Sequence, residues 1–215
     1  MPNLLTTFAS PQRWPEFEQD KVICIGASTG GIEALSKVLA DFPAHTPPVV
    51  IVQHTKSDRV SRLAHMLDGV TEMTVKVAGD LEPLRVGHAY LAPDNSCHLE
   101  LARRTPLRLR LVDRPPISRH RPSVDALFRS AVPHGRHTVG VILTGMGCDG
   151  ALGMLEMYQS GATTFAQDEE TSLVYGMPGT ALRVGGVTRQ VPLQKIAGET
   201  LKACLPSKLR RRAEP

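Results

Sequence analysis

Short stretches that are apolar at nearly every position alternate along this chain with longer stretches in which apolar residues recur every three or four positions. Residues 21–25, 49–53, 139–143 and 162–166 belong to the first kind. Runs of this length without a polar face predict strands buried on both sides. The second kind predicts helices over 32–41, 58–67, 123–132, 151–159, 169–174, 178–183 and 192–204, with Ser123 as a candidate N-cap. Alternation of this sort implies a doubly wound α/β fold: a mainly parallel sheet with helices on both faces. The middle of the chain reads differently. Residues 74–78, 88–91, 97–102 and 107–112 are short strand candidates between Gly, Pro and Asp-Asn turns, and Leu107-Arg108-Leu109-Arg110-Leu111 alternates strictly. These are expected to form an antiparallel hairpin excursion at one edge of the sheet. Residues 1–20, with Pro2, Pro11 and Pro15, read as a leader or linker, residues 21–205 as the domain, and 206–215 as a basic tail.

Composition narrows the function. The 215 residues are 41% hydrophobic and 21% charged, the balance of one globular domain with an aliphatic core. Aromatic residues make up only 4%, which gives base stacking little support and argues against nucleic acid as a partner. The net charge of +4 owes much to Lys208, Arg210, Arg211 and Arg212 near the C-terminus. Cys24, Cys97, Cys148 and Cys204 are far apart and form no C-x-x-C pair, which suits a reducing compartment better than a disulfide scaffold or a zinc knuckle. No apolar run approaches the roughly 20 residues of a membrane span, and no secretory signal opens the chain. A cytoplasmic protein without membrane insertion is expected.

Three predicted strand ends carry reactive groups. Gly26-Ala27-Ser28-Thr29-Gly30-Gly31 follows the first strand, His54 follows the second, and Gly145-Met146-Gly147-Cys148-Asp149-Gly150 follows the strand at 139–143. Sites in doubly wound sheets form outside the carboxyl ends of the strands, so Ser28, His54 and Asp149 are expected on one rim. A serine hydroxyl needs an imidazole to take its proton, and a carboxylate to fix the imidazole tautomer. Backbone N–H groups must meet the oxyanion, and Thr29, Met146 and Gly147 are the candidates. Each residue has a plainer reading: Ser28 and Thr29 could cap the helix that follows, as could Asp149. Gly26-x-Ser28-x-Gly30 resembles a hydrolase nucleophile elbow, but in that fold the acid precedes the histidine in the chain. The order Ser28…His54…Asp149 points to a different scaffold. A dinucleotide site is disfavoured, because Ser28 stands at the second glycine position and Gln53-His54 stands where an acidic ribose ligand belongs. Cys148 has no dedicated base beside it. His134 and His137 have the spacing of a metal pair but lack a third ligand.

Several blocks together resemble one family. Ile25 to Gly31, Val52-Gln53-His54, Leu91-Ala92-Pro93, Arg121-Pro122-Ser123-Val124-Asp125, Leu143-Thr144-Gly145-Met146-Gly147-x-Asp149-Gly150 and Gly176-Met177-Pro178 look like the catalytic domain of CheB-type protein-glutamate methylesterases, over about residues 21–203. The resemblance implies Ser28 as nucleophile, His54 as base, Asp149 as orienting acid and Met146 in the oxyanion segment. It implies hydrolysis of glutamate γ-methyl esters on the cytoplasmic helices of chemoreceptor-like proteins, deamidation of receptor glutamines in many members, and neither metal nor organic cofactor. Family members usually begin with a receiver domain, whereas about 20 residues precede the first strand here; either this is a stand-alone member, for which a separate regulatory protein is a candidate partner, or the receiver was removed. His54 is followed by Thr55-Lys56-Ser57, where His-Met-Pro is typical, and Pro178 by Gly179-Thr180, where a basic residue is common. Two other classes stay open: a catalytically idle interaction module on the same fold, and a small-molecule serine esterase.

Overall fold

The computed structural model describes residues 14–55, 59–93, 96–102 and 106–209. Its core is a seven-stranded sheet in the order β3-β4-β2-β1-β7-β8-β9. The strands are β1 (Val22–Ala27), β2 (Val49–Gln53), β3 (Thr74–Val77), β4 (His88–Leu91), β7 (Thr138–Ile142), β8 (Thr163–Gln167) and β9 (Arg189–Val191). All six neighbouring pairs are parallel. β5 (His98–Leu101) and β6 (Leu109–Val112) form a separate antiparallel pair. β1, β2 and β7 are buried at every position, which is why their sequences have no polar face.

Alternate side chains of each strand feed two cores. On one face Ile23, Ile25, Ile51 and Val141 pack under α1 (Gly31–Ala40), α2 (Val60–Asp68) and α6 (Leu193–Ala203). On the other, Cys24, Val50, Val52 and Ile142 meet α3 (Val124–Ala131), α4 (Ala151–Gln159), α5 (Met177–Arg183) and the β5–β6 hairpin, whose Leu99, Leu101 and Leu109 join this core. Val132–His137 extends α3 as a 3-10 segment. Phe17 is buried in the first core and Glu18 donates its N–H to the Cys204 carbonyl, so residues 14–20 lie on the domain. Residues 1–13 of the expected leader, and 210–215 of the expected tail, lie outside the described residues, as do Lys56 and Ser57.

The doubly wound architecture agrees with the sequence reading, with two corrections. β3 and β4 do not belong to the antiparallel excursion; they extend the main sheet in parallel, and only β5–β6 is antiparallel. β3 is an edge strand with Thr74 and Lys76 exposed, and the alternation that an edge produces is the same one a hairpin produces. The helix expected over 169–174 is instead a turn: the Asp168 carboxylate accepts from the N–H and hydroxyl of Thr171, an alternative to helical bonding.

The connections run outward from β1 in opposite directions, to β2 on one side and through β7 to β8 and β9 on the other. The crevice at the carboxyl ends of β1, β2 and β7 is therefore the topological switch point of the sheet.

Candidate active site

Ser28 is the first residue beyond β1. β1 and β2 pair with Ala27 opposite Gln53, so one further step sets Ser28 beside His54, about one strand spacing (~4.8 Å) away. The His54 N–H donates to the Ala27 carbonyl (3.0 Å), and the Ser28 N–H to the Thr144 carbonyl (3.0 Å), which extends both pairings past the formal strand ends. Gln53 ties the two together, its side-chain amide donating to the carbonyls of Ser28 (2.9 Å) and His54 (2.9 Å). The chain then turns sharply. Gly30 adopts φ 79° and is the N-cap of α1 without any side-chain cap bond, so neither Ser28 nor Thr29 caps that helix. Among the described residues the Ser28 hydroxyl has no hydrogen-bond partner.

Asp149 reaches the same place from the loop after β7. Its Oδ2 lies 2.9 Å from Nε2 of His54. The carboxylate is fully buried and takes three more donors: the Ser123 hydroxyl (2.7 Å), the Val124 N–H (2.8 Å) and the Asp125 N–H (3.1 Å). Two of these are backbone groups in the first turn of α3, which needs acceptors and favours negative charge. Burial pushes the Asp149 carboxyl up, but the bonds from His54, Ser123, Val124 and Asp125 outweigh it and hold the group below the usual carboxylate range. Asp149 does not cap its own helix, because the N-cap of α4 is Gly150. Ser123 caps α3, accepting from the Ala126 N–H, as its place in the sequence suggested, and at the same time holds Asp149.

The third wall is the loop 144–148. Gly145 exchanges backbone bonds with Val174 and Gly176, which straps this loop to the segment leading into α5. A Cβ on Gly145 would sit 2.3 Å from the Met177 sulfur and 2.8 Å from Cβ of Ser28, so only glycine allows the loop to lie so close. Thr144 donates to the Thr29 carbonyl (3.0 Å) and Gln167 accepts from the Thr144 N–H (2.8 Å), which locks this loop to the one that carries Ser28. Among the described residues the N–H groups of Thr29, Met146 and Gly147 have no protein acceptor. Met146 and Leu173 stand at the mouth with 70% and 73% of their surface exposed; Cβ of Leu173 lies 2.8 Å from the position a Cβ on Gly30 would take.

Residues 23–200 fit the model of the CheB methylesterase family. The chain belongs to this family. Among CheB relatives it is 51% identical over 185 residues to a protein-glutamate methylesterase/protein-glutamine glutaminase of Bradyrhizobium diazoefficiens, and 48% identical over 186 residues to one from Geobacter metallireducens. Those alignments cover 85% and 86% of this chain but only 50% and 52% of the relatives, so the chain spans about half the length of the curated relatives it matches. The crystal structure of the CheB methylesterase catalytic domain of Thermotoga maritima superposes with a TM-score of 0.81 at 35% identity, over 85% of this chain and 97% of that one.

Some residues that shape the site were not singled out from the sequence. Gln53, Thr144 and Gln167 are buried polar residues at or just past strand ends, and sequence alone does not say what they hold. The imidazoles of His98 and His120 also take part; their contacts depend on loop geometry. Other candidates go elsewhere. Cys148 is an exposed loop residue. His134 bonds to the Ala102 carbonyl and His137 pairs with Asp20, and among the described residues no three His, Cys, Asp or Glu side chains gather as a metal set. Arg121 pairs with Asp113, while Arg119 is exposed.

Proposed function

We propose that this chain hydrolyses glutamate γ-methyl esters on a chemoreceptor-like helical protein, through Ser28, His54 and Asp149. The observation that carries this reading is the His54–Asp149 hydrogen bond at the switch point, with Ser28 the next residue past the Ala27–Gln53 pair, on the strand end beside the one that carries His54. Ser28 Oγ attacks the ester carbonyl as His54 takes its proton through Nδ1, the ring nitrogen turned away from Asp149, which is buried and unpartnered. The N–H groups of Thr29, Met146 and Gly147 meet the oxyanion. His54 returns the proton to the departing methoxide, methanol leaves, and a glutamyl ester of Ser28 remains. Water, deprotonated by His54, then releases the carboxylate. Asp149 keeps the ring in the required tautomer and stabilises its cation. The same steps with ammonia as leaving group account for the glutaminase half of the relatives' name.

A protein substrate fits the shape of the site. The lips are exposed apolar side chains, Met146 and Leu173, on an open crevice. A half-open pocket of about 390 Å³ lies elsewhere, lined by residues that include Ala40, Phe42 and Leu201 and not Ser28. Among the described residues no helix is long and apolar enough to cross a membrane. A cytoplasmic location, a separate regulatory protein and the absence of a cofactor belong to this same reading.

Incubation with receptor membranes carrying labelled methyl esters tests the proposal. Volatile methanol is expected, and Ser28→Ala should reduce its release by about four orders of magnitude or more. Hydrolysis of small esters without release from any receptor would favour the small-molecule esterase; no Ser28-dependent hydrolysis of either would favour the idle module.

A further inference from the structure

Residues 117–120 make a tight hairpin turn directly over the site. Ile117 and His120 exchange backbone hydrogen bonds in both directions, at 3.0 and 2.8 Å. The two residues between them, Ser118 and Arg119, adopt φ 49° and 68°. Both central residues are thus left-handed, a conformation such turns normally fill with Asn or Gly. Non-glycine residues there cost energy and persist only where their surroundings impose the shape. The imposed shape lays one ring flat on another. The imidazole of His120 stacks on that of His54 with centroids 3.9 Å apart and planes 5° from parallel.

The loop that carries His120 is stapled at its base. The fully buried His98 accepts the Ser123 N–H at Nδ1 (3.2 Å), and its Nε2 bonds the Pro115 carbonyl (3.1 Å). The segment leaving this loop supplies Ser123, Val124 and Asp125 to the Asp149 carboxylate. One continuous stretch, 117–125, therefore touches both the ring of His54 and its carboxylate partner.

Resting on the catalytic reading of Ser28, His54 and Asp149, we propose that His120 is a positioning residue: its neutral ring holds the His54 imidazole in the plane that joins Asp149 to Ser28, and its π face stabilises the imidazolium that forms in each proton transfer. Two neutral rings in a parallel, face-to-face stack gain little from their quadrupoles. The same stack becomes attractive once one ring is a cation, because a cation lies against the negative face of its neighbour. An interaction that strengthens only as charge develops lowers the barrier without tightening substrate binding. His120 suits this part. Burial pushes its pKa down and the His54 cation pushes the same way, against a smaller upward pull from Asp149, so the ring is neutral when His54 takes a proton.

Two substitutions that both fill the space separate ring from volume. His120→Phe keeps a π face and should retain kcat for methanol release within about threefold; His120→Leu should lose about 3- to 30-fold in kcat with KM within about twofold. If Leu serves as well as Phe, or Phe falls as far as Leu, or the loss appears in KM alone, the proposal is overturned. A second readout does not depend on the physiological substrate: the rate at which an aryl sulfonyl fluoride labels Ser28, read by intact mass. The same order of wild type, Phe and Leu is expected there. Labelling in that order without methanol release from any receptor would refute the substrate assignment and uphold the part given to His120; equal labelling of all three chains would refute the latter.

Discussion

Asp149 shows how one buried carboxylate is kept charged. Removed from water, it would prefer its proton, yet it accepts four hydrogen bonds, two of them from the first turn of a helix. A carboxyl whose folded pKa lies below its unfolded value stabilises the fold fully above the unfolded value, near 3.8, and loses that contribution as pH falls through the folded value. Thermal unfolding of the wild type and Asp149→Asn should therefore differ most at neutral pH, and the gap should close below about pH 4. Asp125 shifts the opposite way, raised by burial and by the charge of Asp149, but it is present in both chains. The same substitution should lower kcat by about 10³- to 10⁴-fold, because an amide in place of the carboxylate favours the wrong imidazole tautomer. A wild-type rate in Asp149→Asn would remove the carboxylate from the mechanism.

At the scale of elements, the site depends on how closely loops approach one another. The turn after β7 passes between Ser28 and Met177 of α5 with no room for a methyl group at Gly145. Gly145→Ala should cost about 1–3 kcal/mol in denaturant unfolding, the usual penalty for overpacking, and should lower activity more than that loss of fold explains, because Ser28 is one of the two groups displaced. Full activity in a destabilised Gly145→Ala protein would show that the loop relaxes away from Ser28. The elements themselves were unevenly legible. β1, β2 and β7 stood out because strands buried on both faces have no polar positions to blur the pattern. β3 and β4 were legible as strands but not in their pairing, since an alternating edge strand leaves the same trace in either direction. β9 has three residues, too few for any period to show.

For the whole molecule, the three strand ends that carry Ser28, His54 and Asp149 are brought together by strand order, and the mouth they share is apolar and open. Met146 and Leu173 come from different loops and flank the crevice at 70% and 73% exposure. If this face receives a receptor helix, Leu173→Asp should raise KM for methylated receptor about tenfold, while labelling of Ser28 by the sulfonyl fluoride stays within about twofold. Parallel losses in both assays would place this side chain in the chemistry instead of the docking.

The amino-acid sequence by itself determined the class of fold, the strand ends that carry Ser28, His54 and Asp149, and the family, because hydrophobic period and local motifs are properties of neighbouring residues. It left Asp149 ambiguous between capping α4 and orienting His54. Tertiary structure removes the capping reading: Gly150 is the N-cap of α4, and the carboxylate bonds His54 and the N-terminus of α3, a helix earlier in the chain. It also decided the stacking of His120 on His54, 66 residues apart in the chain. Such contacts follow from which loops meet at the switch point, and no spacing along the chain encodes that meeting.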